Sequence, residues 1–368
     1  MNENINPDRE EILSWLNEQD EERLTELWRQ ADAVRREHVG DEVHLRGIIE
    51  ISNRCSRFCR FCGINASVVS LKRYTMTHTE ILTCVKIIEK YGYKTVVLQS
   101  GEDHRMKTSW MTSLIDLIRK NSNIIITLSL GERPGRDLAE WKRAGADRYL
   151  LKFETSNHQL YEAIHSGRHE GWQKRLEVLD ILDHLDYEIG SGIMIGIPGQ
   201  TWADLANDIL MFQKLKLDMI GIGPFIPHPG THSGRMYLSG MFNEQQVPND
   251  EMTTYKTLAL ARLACPETNI PSTTALHTLN LKHGREFGLQ RGANVIMPNF
   301  TPVRYRVLYD IYPGKTEVSE TFDEIDRSVR ESIRLLGRKL ATHEGTSESF
   351  KTKHAKYSTG IPVQKFLH

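Results

Sequence analysis

The sequence predicts an α/β fold, a (β/α)8 TIM barrel with helices added at both ends. Eight short apolar runs alternate with amphipathic helical patterns, which predicts parallel strands buried on both faces. Eight such units close a barrel, and 368 residues suit one large barrel. A doubly wound open sheet is the alternative. It would need a glycine-rich loop after the first strand, where this chain has a cysteine-rich loop.

The predicted strands share an apolar core and lack helical periodicity. They are residues 45–51, 94–100, 124–130, 148–153, 188–197, 218–225, 269–275 and 293–298. The helices predicted between them are residues 77–90, 108–120, 136–143, 171–184, 202–215 and 249–263. Thr77 and Glu80 have the spacing of a capping box, which predicts the start of the first of these helices.

The two ends of the chain extend the barrel. Residues 1–44 form a predicted N-terminal helical extension with two amphipathic helices over 8–40, and residues 45–318 form the barrel. Residues 319–368 are a C-terminal helix, predicted over 319–341, and a polar tail. The tail lacks periodicity, which leaves an ordered wrap and a mobile end both open.

Composition and charge exclude several classes of protein. Hydrophobic residues make up 39% and charged residues 26%, as in an ordinary globular protein. A net charge of −1 provides no general attraction to nucleic acid or to an anionic membrane. The apolar runs are too short to span a bilayer, and the acidic, polar N-terminus does not read as a secretory signal. We therefore expect a cytoplasmic protein without nucleic-acid or membrane partners.

The stretch CSRFCRFCG, residues 55–63, places three cysteines where chemistry is expected. It follows the first strand, and barrel sites lie at the C-terminal ends of strands. Cys84 and Cys265 lie in helical patterns and read as small buried residues. Because the cysteine count is odd, a reducing compartment fits better than a disulfide framework.

Three interpretations of Cys55, Cys59 and Cys62 are open from spacing alone: a 4Fe-4S cluster, a zinc site and simple packing. A structural zinc site needs four ligands. Three thiolates on a 4Fe-4S cluster leave one iron open for the donor atoms of a substrate or cofactor, so the spacing favours a cluster. Neighbouring arginines could offset the charge of a cluster or could simply be solvated; they are Arg54, Arg57 and Arg60.

This cysteine spacing after the first strand of a barrel resembles the radical S-adenosylmethionine (radical SAM) superfamily. The resemblance implies two cofactors, a 4Fe-4S cluster and S-adenosylmethionine, with Cys55, Cys59 and Cys62 as cluster ligands. It implies that the amino and carboxylate groups of the methionine moiety chelate the open iron. One electron then cleaves the C5′–S bond and gives a 5′-deoxyadenosyl radical. The aromatic before the last cysteine, Phe61, is expected near the adenine.

A closer resemblance covers residues 38 to 316. The stretches include LKRYTMT, VVLQSGED, TLSLGERP, AGADRYLLKFET, IGIPGQT, DMIGIGPFIPHPGT, IPSTTA and RGANVIMPNFTP. Together they resemble the FeFe-hydrogenase maturase HydE family, with methylornithine synthase and biotin synthase as neighbouring families. The resemblance implies an enzyme that acts in assembly of the hydrogenase active-site H-cluster. Its expected substrate is a cysteine-bound iron carbonyl–cyanide species, and its expected partners are other maturases and an electron donor.

The resemblance also implies cofactor contacts at the strand ends. The second strand is expected to receive the methionine amino group, and later strands the carboxylate, the ribose and the edge of the adenine. The residues are Ser100, Gly101 and Glu102 for the amino group, Ser129 and Glu154 for methionine and ribose, Arg175 for the carboxylate, and Met194 and Ile222 for the adenine. A solvated charge at Arg175 and core packing at Met194 and Ile222 are the plain alternatives.

Polar residues at inner strand positions predict a polar substrate deeper in the barrel, because a buried polar group without a partner costs about 1–3 kcal/mol. A satisfied interior network is the alternative. The predicted substrate residues are Arg46, Gln99, Thr127, Lys152, Thr273, Thr274 and Tyr305.

Two features depart from the family pattern. The RHET of the family at the fourth strand reads KFET here, and lysine offers a point charge where arginine would hold a carboxylate with two hydrogen bonds. This raises an alternative substrate, another small sulfur-containing compound or amino acid, as in methylornithine or biotin synthase. A zinc-stabilised binding protein is the alternative of a different class. No cysteine follows Cys265, which predicts a single cluster.

Overall fold

The structure is a computed structural model and describes residues 6–166, 171–240, 245–315 and 319–357. Its strands are β1 Glu42–Ser52, β2 Thr95–Ser100, β3 Ile125–Ser129, β4 Arg148–Leu150, β5 Glu188–Ile195, β6 Met219–Pro224, β7 Pro271–Ser272, β8 Val295–Ile296 and β9 Lys339–Leu340. The first eight lie where the sequence predicts strands. β7 and β8 are much shorter than predicted, and the barrel strand β1 begins at Glu42, three residues before the predicted boundary.

The sheet confirms the predicted barrel. Its strand order is β6-β5-β4-β3-β2-β1-β8-β7, and every pair is parallel. A single parallel bridge from Met219 to Asn269, just before β7, brings the two edges together. Because all eight strands point the same way, their carboxyl ends share one rim, where a site is expected.

Helices separate the strands. They are α1 Arg9–Asn17, α2 Glu21–Val39, α3 His78–Lys90, α4 Thr108–Asn121, α5 Gly135–Ala144, α6 His158–Ile164, α7 Gly171–His184, α8 Trp202–Lys214, α9 His232–Leu238, α10 Glu251–Ala264, α11 Thr274–Leu279, α12 Gly284–Gln290, α13 Val303–Arg306, α14 Phe322–Leu335 and α15 Glu348–Tyr357. The capping box of Thr77 and Glu80 is present at the start of α3. Among the described helices, none is long and apolar enough to cross a membrane.

The C-terminal region corrects the sequence prediction. α14 ends at Leu335 rather than continuing to residue 341, because Gly337 adopts a positive φ of 65° and the amide of Arg338 turns back to the carbonyl of Ile333. β9 then pairs with the start of β1. The tail beyond it is an ordered wrap through α15, whereas residues 358–368 lie outside the described part. The division at residues 44 and 318 stays a prediction.

Side chains alternate between the outer core and the barrel interior along each strand. On β3, Ile126 and Leu128 pack into the outer hydrophobic core, so Thr127 and Ser129 face inward. Four inner positions of β5 and β6 are glycines, at 190, 192, 221 and 223. A Cβ at Gly221 or Gly223 would meet nothing closer than 3.6 Å, so these two leave space inside the barrel, whereas Gly190 and Gly192 allow close packing of their neighbours.

Candidate active site

The cysteine loop leaves β1 and is held by main-chain hydrogen bonds. The amide of Ser56 donates to the carbonyl of Glu102 (2.7 Å), and the amide of Arg60 donates to the carbonyl of Ile164 (2.8 Å). The guanidinium of Arg73 donates to the carbonyls of Asn53 (2.7 Å) and Ile64 (2.6 Å). These contacts tie the loop to the ends of β2 and α6 and fix where its three thiols point.

Glycine at position 101 allows the loop to approach β2. A Cβ there would lie 2.5 Å from the carbonyl oxygen of Arg54 and 2.8 Å from Cβ of Cys55. Gly131 has a φ of 75°, and a Cβ there would lie 2.5 Å from Cγ of Glu102. The two glycines therefore let the cysteine loop, the end of β2 and the end of β3 pack together.

The three thiols are half-buried, and none of them forms a disulfide. Burial raises the pKa of all three, and the neighbouring Cys62 and Cys55 raise that of Cys59 further. The thiols therefore lie close enough to repel one another as thiolates. A cationic iron cluster would relieve that repulsion and deprotonate them, so the donor set fits a 4Fe-4S cluster. Among the described residues, no three His, Cys, Asp or Glu side chains converge on a single metal ion, so the fit to a cluster rests on the spacing of the three cysteines and the mutual repulsion of their thiolates.

Four charged side chains, three of them buried, alternate in sign beside the thiols. We call Glu102, Arg57, Glu132 and Arg175 the charge chain. Arg57 pairs with Glu102 and lies 3.3 Å from Glu132, and Arg175 Nε lies 2.8 Å from Glu132 Oε1. The amide of Glu132 also donates to Glu102 Oε2 (3.0 Å). With two charges of each sign, the chain suits a zwitterionic ligand, which can insert a carboxylate at one end and an ammonium at the other.

Aromatic groups pack against the far end of the charge chain. Arg175 donates to the hydroxyl of Tyr161 (3.1 Å). The ring of His165 stacks on Tyr161 at 4.0 Å and meets Phe61 edge-on at 5.4 Å. Burial, with Arg175 and Arg57 nearby, lowers the pKa of His165 to about 3, so its imidazole is neutral. Glu132, Tyr161 and His165 received no role from the sequence, although Glu132 lies within the TLSLGERP stretch.

Phe61 and Met194 belong to one small apolar cluster, together with Leu160, Ile164 and Phe225. This contact brings two predicted adenine residues together. Ile222 is a correction: it is an outward position of β6 and packs in the outer core, so its side chain does not face the interior. Only its carbonyl turns toward the interior rim, where it accepts a hydrogen bond from Thr273 (3.0 Å).

Lys152 and Glu154 form an ion pair on the inner face after β4. Lys152 Nζ lies 2.9 Å from Glu154 Oε2. Glu154 has a positive φ of 65°, and its main chain bonds to Gly192 and Met194 of β5. The carbonyl of Lys152 accepts from Arg175 (3.0 Å), which links the pair to the charge chain. Phe153 points the other way, into the core against Phe212, so it does not line the interior.

Gln99, Thr127 and Ser129 face the interior as predicted from strand parity. The hydroxyl of Thr127 is buried and has no partner among the described residues, which leaves it available to a ligand. Gln99 donates to the hydroxyl of Tyr309 at 3.4 Å. Tyr309 is 3% exposed. Its carbonyl accepts a hydrogen bond from Lys315 (3.4 Å), which also pairs with the buried Glu50. The sequence analysis assigned no role to Tyr309, Lys315 or Glu50.

Two predicted substrate residues lie away from this group. Arg46 sits at the opposite end of the barrel, where its guanidinium donates to the carbonyl of Gly345 (3.2 Å) in the C-terminal wrap. Tyr305 lies outside the barrel because α13 turns its ring onto Tyr74, and its hydroxyl donates to Glu80 (2.7 Å). Both are corrections to the expected cluster.

Thr273 and Thr274 stand at the junction of β7 and α11. The Thr273 hydroxyl caps α11 and donates to the carbonyl of Ile222. Thr274 begins the helix and is half-buried at the rim. Both residues therefore lie at the active rim of the barrel.

Comparisons with known proteins agree with this geometry. The family model of the radical SAM superfamily matches residues 49–212. A curated relative, the [FeFe] hydrogenase maturase subunit HydE of Thermotoga maritima, is 45% identical over 85% of this chain and 86% of its own length. The 3-methylornithine synthase of Methanosarcina acetivorans is 25% identical over 89% of this chain and 87% of its own. A crystal structure of methylornithine synthase superposes with a TM-score of 0.76 at 21% identity, over 95% and 96% of the two chains.

The barrel and its three-thiol loop thus define a radical SAM enzyme, whose cofactors are a 4Fe-4S cluster and S-adenosylmethionine. Within that superfamily, the chain belongs to the HydE family.

Proposed function

We propose that this enzyme acts in assembly of the active-site H-cluster of FeFe-hydrogenase, on a cysteine-bound iron carbonyl–cyanide precursor. The 45% identity to HydE over most of both chains supports this assignment. The observation that carries the chemistry is the three-thiol loop beside the charge chain at the C-terminal ends of β1, β2 and β3. When bound, the reduced cluster supplies the electron that cleaves the sulfonium of S-adenosylmethionine and releases a 5′-deoxyadenosyl radical.

The charge chain binds the methionine end of S-adenosylmethionine in this proposal. Arg175 takes the carboxylate, and the main-chain carbonyls at Ser100 and Gly101, with the carboxylate of Glu102, take the ammonium. Charge-assisted hydrogen bonds of this kind contribute about 1.5–3 kcal/mol each. Cys55, Cys59 and Cys62 hold the cluster next to this end, so binding orients the sulfonium toward it.

The adenosine end lies toward the small apolar cluster. Phe61 and Met194 contact the adenine, and Glu154 receives the ribose hydroxyls, with Ser129 facing the methionine from β3. His165 supports Phe61 from the side. Its neutral ring keeps a second positive charge away from the sulfonium.

The substrate occupies the inner positions below the cofactor. Lys152 pairs with its carboxylate, and its other polar groups meet Gln99, Thr127, Thr273 and Thr274. The hydroxyl of Thr127, which has no partner in the described part of the chain, supports a polar occupant at this depth. A closed barrel also excludes water, so that the radical meets only the bound sulfur.

The expected setting follows from the same family. The homologues imply a small-molecule substrate, and the partners are maturases that supply it and a protein that supplies the electron. We place the reaction in the cytoplasm, where thiols stay reduced.

A second candidate is a relative that acts on another small sulfur-containing compound or amino acid. Lys152 favours it, because a lysine holds a carboxylate by charge alone and imposes less geometry than the arginine of the family. The 25% identity to 3-methylornithine synthase over 89% of this chain also supports this second candidate.

The test is an anaerobic assay of 5′-deoxyadenosine from reconstituted enzyme, S-adenosylmethionine and dithionite. The cysteine-bound iron carbonyl–cyanide complex is added to one series and omitted from the other. A strong rise in product, or adenosine attached to the complex, supports the maturase function. Cleavage that ignores the complex but rises with an amino acid supports the second candidate.

A further inference from the structure

The cysteine loop carries an unusual concentration of positive charge. Residues 53–73 contain five Arg or Lys residues and no Asp or Glu, although the whole chain has a net charge of −1. Two neighbouring segments continue the pattern. Residues 104–107 contain two Arg or Lys residues, residues 228–240 contain one, and neither segment contains an acidic residue.

These three segments form one surface, which we call the cluster-loop face. The amide of His104 donates to the hydroxyl of Ser56 (3.4 Å). The amide of Ser233 donates to the carbonyl of Arg60 (2.9 Å). The loop thus contacts the other two segments directly, which brings their basic residues to its flanks.

Charged ends on this face point outward. Lys72, Lys107 and Arg235 are exposed, and the side chain of Arg105 is 70% exposed despite its pairing with the buried Asp103. The nearby carboxylate of Asp310, outside the three segments, pairs with His228 (3.2 Å). The face therefore presents net positive charge to any protein that approaches the cluster from outside.

Apolar side chains stand among these charges. Phe58 lies between two cluster cysteines and is 55% exposed, Val69 is 93% exposed, and Leu238 is 61% exposed. A cavity of about 190 Å³ beside Phe58 reaches Cys59 and Arg175. Apolar contacts inside a charged rim are typical of a docking surface for a protein. Among the described residues, the cavity connects this face with Cys59.

We propose that the cluster-loop face is the docking site of an acidic one-electron carrier protein that reduces the cluster. This inference rests on the proposed function, because radical chemistry requires one electron for each cleavage. The barrel interior is reserved for S-adenosylmethionine and substrate, so the electron enters from the outer side. A carrier with a negative surface is attracted by the basic rim, and its approach slows as salt screens that attraction.

The test compares two reductants on full-length reconstituted enzyme. One is an acidic flavodoxin in its hydroquinone form, and the other is photoreduced 5-deazariboflavin, which is too small to need a docking surface. The face variant combines Arg105→Glu, Lys107→Glu and Arg235→Glu. The control variant combines Lys86→Glu, Lys120→Glu and Arg327→Glu, which are also exposed positions, on outer helices.

The face variant is expected to raise the KM for flavodoxin by about tenfold at low salt, as charge reversal at a steered interface does. The control variant should leave that KM unchanged, and the rate with deazariboflavin should stay the same in both. An unchanged KM in the face variant would overturn the docking proposal. A lower deazariboflavin rate in that variant would also overturn it, because the charges would then act on the cluster itself. Wild type that cleaves no S-adenosylmethionine with either reductant would refute the proposed function instead.

Discussion

Replacing Glu132 with glutamine tests whether Glu132 and the cofactor carboxylate compete for Arg175. In the structure, Glu132 lies 2.8 Å from Arg175 and 3.3 Å from Arg57. The side chains of Glu132 and Arg175 are only 8% and 10% exposed. Removing one partner of such a buried pair costs about 3–5 kcal/mol. We expect the low end, about 3 kcal/mol, because glutamine still accepts a hydrogen bond from Arg175.

Cofactor binding should change in the opposite direction. Without the carboxylate of Glu132, the charge of Arg175 is free for S-adenosylmethionine. If the cofactor carboxylate regains about half of the free energy lost with the Glu132 pair, binding tightens by about tenfold, or 1.4 kcal/mol. The variant should therefore unfold at lower temperature alone and gain more from added S-adenosylmethionine than wild type does, since a bound ligand stabilises by RT ln(1 + [L]/Kd).

The assay is thermal unfolding of anaerobically reconstituted protein with and without S-adenosylmethionine, with equilibrium dialysis for the Kd. Asp137→Asn is the matched control. Asp137 lies 2.8 Å from Arg133, with side chains 5% and 6% exposed, so it should cost similar stability and leave the Kd unchanged. A Glu132→Gln variant with tenfold weaker binding would refute the competition, because Glu132 would then be a cofactor ligand itself.

Four further predictions concern single positions. Cys59→Ala should abolish cluster absorbance and cofactor cleavage, and retained cleavage would disprove the cluster assignment. Gly101→Ala should displace the cysteine loop, because its Cβ would lie 2.5 Å from a carbonyl oxygen, and iron content should fall. Lys152→Arg should lower the KM for a carboxylate substrate and leave uncoupled cleavage unchanged at saturating S-adenosylmethionine. Burial raises the pKa of Asp208 from 3.8 to about 7. The folded state therefore keeps that proton to higher pH than the unfolded state does. The free energy of unfolding should fall by about 1.4 kcal/mol per pH unit between about pH 4 and 7. Urea unfolding across this range should show that Asp208→Asn lacks the slope.

Periodicity predicts the barrel because each strand and helix carries its own pattern. The alternation places all eight strands, and the capping box places the start of α3. The sequence overestimates the lengths of β7 and β8. Their main-chain pairing ends early, and the pattern of apolar residues does not reveal where pairing ends. β9 was missed for the same reason: two residues after a glycine turn carry no pattern, and only their pairing with β1 makes them a strand.

The site residues also divide into those that local sequence predicts and those that depend on the folded structure. The group of three thiols is predictable from spacing, because residues of one short loop stay together in any fold. The role expected of the end of β2 follows instead from the family resemblance. Ile222 and Tyr305 depend on which face a residue takes, and one step of register or one turn of a short helix reverses that face. Glu132 was missed because its role appears only through Arg57 and Arg175, which are distant in the chain.

The KFET departure separates into two unrelated parts once the strand faces are known. Phe153 is fully buried and packs against Phe212, so its aromatic ring is a packing choice and removes nothing from the interior. Lys152 faces inward and pairs with Glu154. An arginine there would reach the same carboxylate with two hydrogen bonds and hold it more firmly. If Glu154 receives the ribose as proposed, a lysine leaves it freer to do so, and the change should then bear on cofactor binding as well as on substrate. Measuring the Kd of S-adenosylmethionine in Lys152→Arg separates the two effects: weaker cofactor binding points to Glu154, and an unchanged Kd confines the lysine to the substrate.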